Sequence, residues 1–244
     1  MKREVKNKNV LIVIPAYNEE KSIDNVLKEL KEFVNFADII VINDCSYDNT
    51  KKVVLDNDIK CINNIFNMDS SFAILTGIRY AYENNYDYVI QMDADGQHLA
   101  YEVIELYDGI KKYNADVIIG SRYLEDLGYE CSFFRRIGTL IFELLIKIFC
   151  KERITDPLSG FRCYNKKVIN EFMKFDSYPE YLDANILIKL LNEGYIIKEV
   201  PVKMKQRENG KSKYSGIIQP IKYMVKMFYT IFWVLILTPK KKRG

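Results

Sequence analysis

An α/β fold built on a mainly parallel sheet with helices on both faces is predicted by three observations. Short β-branched runs alternate with stretches of helical periodicity through the first half of the chain, the runs end at Pro or polar residues, and acidic and amide side chains collect just beyond them. Residues 10–14 and 39–42 are the first two strands, and residues 20–33 between them carry Ile23, Val26, Leu27 and Leu30 at helical spacing. The alternation continues with a strand near 59–62, a helix over 72–83, a strand over 88–92, a helix over 102–113 and a strand over 116–119. Sheets of this kind bind ligands beyond the carboxyl ends of their strands. Asn18 and Glu19, Asn43 and Asp44, Asp93 and Asp95, and Ser121 and Arg122 follow four such strands and therefore converge on one edge.

The second half is less regular. Residues 133–149 form a strongly apolar helix, 156–162 a loop, and two helices follow near 166–173 and 182–193, the latter ended by Gly194. A strand spans 195–202, residues 206–215 read as a polar, mobile loop, and 217–237 form a long apolar helix. No internal repeat is present, and low complexity is confined to Lys240-Lys241-Lys242-Arg243.

A chain of 244 residues accommodates one sizeable domain and an appendage, divided here as 1–215 and 216–244. Hydrophobic residues at 48% and charged residues at 28% are ordinary for a soluble globular protein and favour neither disorder nor a polytopic membrane protein. The net charge of +3 is too small to imply a nucleic-acid partner. Five cysteines, with no C-x-x-C pair, fit reduced thiols in a cytosolic compartment. The apolar stretch 10–14 is a strand's length and runs into Pro15, which argues against a cleaved signal peptide.

Asp93-Ala94-Asp95 places two carboxylates two residues apart just after a strand, where both can reach one hard cation through oxygen, Mg²⁺ or Mn²⁺. Composition alone produces such a pair by chance, and Asp56-Asn57-Asp58 is read as a solvated turn after a helix. Asp93-Ala94-Asp95 differs in context, since it follows an apolar strand and leads into Gly96-Gln97-His98.

Four segments taken in order, Pro15-Ala16-Tyr17-Asn18-Glu19, Asn43-Asp44-Cys45-Ser46-Tyr47-Asp48-Asn49-Thr50, Asp93-Ala94-Asp95-Gly96-Gln97-His98 and Asp156-Pro157-Leu158-Ser159-Gly160-Phe161-Arg162, resemble the family 2 inverting glycosyltransferases. The dolichyl- and polyprenyl-phosphate sugar synthases are the nearest group, and the likeness covers about residues 9–215. It implies a GT-A type, Rossmann-like fold, a nucleoside-diphosphate sugar donor and a divalent metal on the donor diphosphate. By the same resemblance Pro15, Ala16, Tyr17, Glu19, Asp44 and Asp93 fall to the nucleotide, and Asp95 and Gln97 to the metal. His98, the single histidine, is read as structural rather than as a base. Arg122, Arg162, Ser212 and Lys213 are the candidates for donor or acceptor phosphate.

Many members of the family carry a general base eleven residues before the glycine that ends this helix, which is Asp183 here, with Glu180 as a rival. A hydroxyl acceptor needs such a base, whereas a phosphate acceptor is already ionised. The chain departs from the family pattern at Leu182 and Asn185, where acids are common, and in the glycine-free segment 67–72.

Helices 133–149 and 217–237 are too apolar for solvated helices, and the uninterrupted run 227–237 is shorter than the ~20 residues of a membrane span. Both are expected to lie in a membrane interface, with burial in a core or a dimer contact and a tilted span as the alternatives. The basic tail favours anionic lipid on the cytoplasmic side. The expected protein is thus a peripheral enzyme on the inner face of the cell membrane, which moves a sugar from a nucleotide donor to a polyprenyl phosphate or lipid-linked glycan; a homo-oligomer remains open. Two rivals are a nucleotidyltransferase, which would need a glycine-rich phosphate loop after the first strand, and an inactive membrane adaptor.

Overall fold

The structure is a computed structural model that describes residues 9–129, 133–174, 181–206 and 218–238. Ser212, Lys213, Glu180, the basic tail and nearly all of the polar loop lie outside the described residues. The expected α/β architecture is present as a seven-stranded sheet in the order β3-β2-β1-β4-β6-β5-β7.

β1 (Val10–Ala16), β2 (Asp38–Asn43), β3 (Lys60–Asn63) and β4 (Tyr88–Gln91) are parallel and joined by α1 (Ile23–Phe33), α2 (Thr50–Asp56) and α3 (Asp69–Glu83). α4 (Glu102–Lys112) leads to β5 (Val117–Ser121), and β7 (Ile197–Pro201) pairs parallel with it. Burial on both faces explains the unbroken aliphatic run of β1. Val10, Ile12 and Ile14 enter a core with α1 and α4, while Leu11 and Val13 enter a second core with α3 and the C-terminal helices. The helix α1 buries the four residues its spacing singled out, Ile23, Val26, Leu27 and Leu30.

One strand departs from the parallel pattern. β6 (Arg162–Asn165) lies antiparallel between β4 and β5, with Gln91 opposite Arg162 and Ile119 opposite Arg162 on its other side. It lengthens the segment that sequence reading assigned to a loop, and it separates β4 from β5. Asn165 ends the strand and caps α6 (Lys166–Phe172), its side chain accepting from the backbone N–H groups of Lys167 and Val168.

The C-terminal helices form one side of the second core. α5 (Phe133–Cys150) turns Phe142, Ile146 and Cys150 inward and leaves Ile137, Leu140, Leu144 and Ile148 exposed. α7 (Ala184–Glu193) ends at Gly194, which has the left-handed φ of 93°. α8 (Ile218–Leu237) packs on α7, burying Met227 and Ile231 at four-residue spacing, and Asn192 Nδ2 donates to the Thr238 carbonyl at the end of α8. The remaining α8 surface is open; Lys222 and Lys226 are exposed on it, and the rest is largely apolar, including Val225, Phe228, Phe232, Trp233 and Ile236. Over Gln219–Leu237 the helix is long and apolar enough to cross a membrane, with only 11% of that stretch buried.

Docking of α8 on the core predicts an asymmetry between its faces. Met227→Ala should lower the unfolding free energy by about 2–5 kcal/mol, as truncation of a fully buried side chain does. Phe232→Ala on the open face should change it by no more than about 0.5 kcal/mol. Urea unfolding in detergent measures both, and equal effects would show that α8 is not docked.

Candidate functional site

The loops that leave β1 and β2 are stitched to each other. The Asn18 N–H donates to Ser46 Oγ, the Tyr47 N–H to Asn18 Oδ1, and the Glu19 N–H to Thr50 Oγ1. Asn18 and Cys45 take left-handed φ values of 56° and 62°, which turn the chain sharply at the two strand ends. Pro15 and Ala16 are buried in β1, and the Ala16 carbonyl accepts the Asp44 N–H. Tyr17 and Tyr47 meet edge to face with centroids 6.1 Å apart, and both are exposed above this seam. The Glu19 carboxylate accepts the Ser22 hydroxyl at the entrance to α1. The buried Asp44 carboxylate accepts the Met68 N–H and the Asn64 side-chain amide, which fixes the segment between β3 and α3. The sequence assigns roles to Tyr17, Glu19 and Asp44; Thr50 enters only as the last residue of a motif, and Asn64, whose amide gives no pattern of its own, does not enter at all.

The acidic motif follows β4. Asp93 is the more open of the pair, with 43% of its side chain exposed, whereas Asp95 is buried and its Oδ1 accepts the Gln97 N–H. His98 is buried, accepts the Asp93 N–H at Nδ1 and stacks on Phe161 with centroids 4.6 Å apart, which pins the motif from behind. Gln97 and His98 pair with the segment beyond β7: the Lys205 N–H donates to the Gln97 carbonyl, and Gln97 Nε2 donates to the Lys205 carbonyl. The chain passes close beside Asp93 at Gly160, where an added Cβ would stand 3.5 Å from Asp93 Oδ2 and 3.4 Å from Gln91 Nε2. These are van der Waals distances, so the backbone at Gly160 runs directly alongside the carboxylate.

No cluster of three or more His, Cys, Asp or Glu side chains able to hold a metal occurs among the described residues. Two carboxylates and an amide oxygen still fit Mg²⁺ or Mn²⁺, because such ions keep much of their shell for water and substrate phosphate. Asp93, Asp95 and Gln97 are the residues that would hold it.

On the other side of Gly160 the basic residues have commitments that sequence reading did not anticipate. Arg122 is joined to the fully buried Asp156 by two bonds of 2.7 Å, through Nε and Nη2. Burial opposes the guanidinium charge, but the bonds and charge of Asp156 outweigh it and hold the Arg122 pKa above its ordinary value. Arg162 is fully buried, with Nη1 on the Leu182 carbonyl and Nη2 on the Pro157 carbonyl. Both were expected to face phosphate; both instead brace the protein, because the strand ends that carry them are covered by segment 154–161. Arg136 of α5 is different. Its guanidinium lies over the Tyr123 ring at 4.2 Å, and its Nη1 is buried with no hydrogen-bond partner among the described residues. Arg162 Nε is a second buried donor without a partner among the described residues, but the Arg162 side chain is fully enclosed, whereas Arg136 lies at the head of α5 and is only half-buried.

Asp183 stands at the N-terminus of α7. Its N–H donates to Asn185 Oδ1, and its Oδ2 accepts the Tyr223 hydroxyl of α8 at 2.8 Å. The Leu182 carbonyl next to it holds Arg162, whose neighbour Tyr164 donates to Gln91 Oε1. The acidic motif and Asp183 are thereby connected through β6.

A profile of the family described as "Glycosyl transferase family 2" matches residues 11–173. The chain is 28% identical over 244 residues to a UDP-N-acetylglucosamine–dolichyl-phosphate N-acetylglucosaminyltransferase of Methanococcus voltae, covering 91% of this chain and 95% of that one. It is 27% identical over 217 residues to an undecaprenyl-phosphate mannosyltransferase of Micrococcus luteus, covering 85% and 88%. In fold it is similar to glucosyl-3-phosphoglycerate synthase of Mycobacterium tuberculosis in complex with Mn²⁺, UDP and phosphoglyceric acid, with a TM-score of 0.68, 14% identity and coverage of 95% and 78%.

The Arg122–Asp156 pair predicts a stability effect separate from chemistry. Asp156→Ala strands a buried guanidinium and should cost about 3–5 kcal/mol. Thermal or urea unfolding measures it; a loss under 1 kcal/mol would mean the pair is hydrated rather than buried.

Proposed function

This chain belongs to glycosyl transferase family 2, and from that premise we propose that it transfers a sugar, with inversion, from a nucleoside-diphosphate sugar to a polyprenyl phosphate at a membrane surface. Family membership sets aside the nucleotidyltransferase rival. The observation that carries the acceptor assignment is Arg136, with its buried, unpartnered Nη1 at the head of α5. From there the exposed side chains Ile137, Leu140, Leu144 and Ile148 run down the helix, and the open face of α8 adds further apolar surface. A cationic head and an apolar track suit an amphiphile with an anionic headgroup. The names of the Methanococcus and Micrococcus relatives support the same acceptor class.

In this reading Pro15, Ala16, Tyr17, Glu19 and Asp44 line the nucleotide side, with Tyr17 and Tyr47 offering exposed rings to the base. Asp93, Asp95 and Gln97 hold a divalent cation, as the Mn²⁺ of the Mycobacterium structure suggests. Such a cation neutralises charge on a departing diphosphate. The acceptor phosphate oxygen attacks the anomeric carbon from the face opposite the diphosphate; the new C–O bond forms as the old one breaks. No proton need be removed, since the phosphate is ionised at neutral pH. Segment 216–244, with its apolar helix and basic tail, is the membrane-associating part, on the cytoplasmic side. The described cysteines, Cys45, Cys61, Cys150 and Cys163, are all free thiols, in keeping with a reducing compartment.

Incubation with UDP-glucose, UDP-N-acetylglucosamine or GDP-mannose and undecaprenyl phosphate in vesicles should yield one glycosylated lipid by mass spectrometry. Chelator should abolish turnover, and Asp95→Asn should lose nearly all of it while remaining folded; full activity in excess chelator would overturn the metal assignment.

A second reading, a hydroxyl acceptor on a lipid-linked glycan, is favoured by the carboxylate of Asp183. The two separate in one variant. Asp183→Asn should lower transfer less than about tenfold if the acceptor is a phosphate, whereas loss of a general base typically costs about 10² to 10⁴. Steady-state rates with each acceptor decide between them.

A further inference from the structure

Tyr223 stands where the lipid-facing helices meet the acceptor side of the site. Its hydroxyl donates to Asp183 Oδ2 at 2.8 Å, and its ring lies edge-on to Tyr181 at 5.1 Å and to Phe142 of α5 at 6.4 Å. An aspartate at the first position of a helix ordinarily accepts the N–H groups of the first turn. The Asp183 carboxylate makes no such bond, and the adjoining side chain of Asn185 takes up the local backbone instead, accepting from the Asp183 N–H and donating to the Tyr181 carbonyl. The carboxylate is thus diverted from its own helix to α8. Hydrogen bonds to a charged acceptor are the stronger kind, so this one is suited to hold a helix in register.

The contacts continue inward from Asp183. The preceding carbonyl, Leu182, is held by the buried Arg162; β6 carries Arg162 opposite Gln91, and Gly160 lies beside Asp93. Outward, α8 presents Phe228, Phe232 and Trp233 to the surroundings. A displacement of α8 therefore reaches the site through Tyr223 and Asp183.

Resting on the phosphate-acceptor reading above, we propose that Tyr223 is a positioning residue for the acceptor, and that its bond to Asp183 couples the seating of α8 in lipid to the entrance of α7. Its role is separable from proton transfer. Asparagine at position 183 keeps an oxygen for the Tyr223 hydroxyl and removes only the charge, whereas alanine removes the tie. Phenylalanine at position 223 keeps the ring contacts and removes the donor. Trp233, the single tryptophan, reports from the open face of α8 whether the helix is still seated.

The experiment uses the full chain on phosphatidylglycerol vesicles containing undecaprenyl phosphate, with UDP-glucose, UDP-N-acetylglucosamine and GDP-mannose each as donor. Tyr223→Phe and Asp183→Ala should each raise the acceptor KM roughly tenfold, equivalent to about 1.4 kcal/mol. The double variant should be no worse than Asp183→Ala, and Asp183→Asn should stay within about threefold of the wild type. Titration of Tyr223→Phe with UDP or GDP and Mn²⁺, and its Trp233 emission on the vesicles, should match the wild type. The inference fails if Tyr223→Phe leaves the acceptor KM unchanged, if the two single losses multiply in the double variant, or if nucleotide affinity falls in parallel. Wild-type protein that glycosylates no lipid phosphate would overturn the acceptor reading and this coupling together. An Asp183→Asn loss of 10² or more, with Tyr223→Phe near wild type, would identify a base and overturn the coupling.

Discussion

The buried pairing of Arg122 with Asp156 is the constraint on which the second half of the molecule depends. Segment 154–161 has no regular structure, yet Ile154, Thr155, Asp156, Ser159 and Phe161 are all buried. It is fixed by polar contacts. Arg122 grips Asp156; the half-buried Glu199 carboxylate accepts the N–H groups of Thr155 and Asp156; Ser159 Oγ donates to the Gly120 carbonyl. Burial pushes the Glu199 pKa up, and the N–H donors act against that shift. A desolvated charge pair contributes modest net stability, but it excludes alternative placements of the segment that bears it. Once Asp156 is anchored on the end of β5, Gly160 must pass Asp93 and Arg162 must enter the sheet as β6.

What could be read beforehand divides along the same line. The first half was legible because β1, β2 and β4 carry apolar runs that are largely buried, and because polar residues follow them at the edge to which the parallel topology carries them; β3, Lys-Cys-Ile-Asn, is only partly buried. Asp44, Asp93 and Asp95 needed only that rule. β6 escaped because Arg-Cys-Tyr-Asn has neither alternation nor β-branching; its place comes from an Arg buried by carbonyls and an Asn consumed by capping. α2 was implied only by the turn read after it at Asp56-Asn57-Asp58, because only Thr50 and Val54 of its seven residues are buried, too few to set a period. The roles of the arginines were misjudged for a related reason. Sequence shows a charge but not its partner, and the partner of Arg122 lies 34 residues away, as does the 40-residue separation of Tyr223 from Asp183 lie beyond any local pattern.

In the proposed transfer the two halves do different work. The donor half is a stitched pair of loops, rigid by hydrogen bonding and indifferent to lipid. The acceptor half is assembled around β6 and opens onto α5 and α8, whose outer surfaces are apolar. A sugar would pass from one to the other across Gly160, the point at which the backbone of the acceptor half lies against Asp93. A Cβ there would only reach van der Waals contact with Asp93 and Gln91, so the approach is set by the course of the backbone.

The antiparallel insertion of β6 also governs the order in which the sheet can be built. The strands β1 to β4 neighbour one another through short βαβ connections, so those four of the seven strands require only the first ninety or so residues. β5 follows next along the chain, yet it touches neither β4 nor anything else in the sheet except β6 and β7. It has no partner until residue 162 has been made, and its neighbour on the far side comes later still. Closing such long loops is slow relative to local pairing. During synthesis the strands β1 to β4 can therefore pair while the hydrophobic strand β5 waits for the segment that will lie between it and β4.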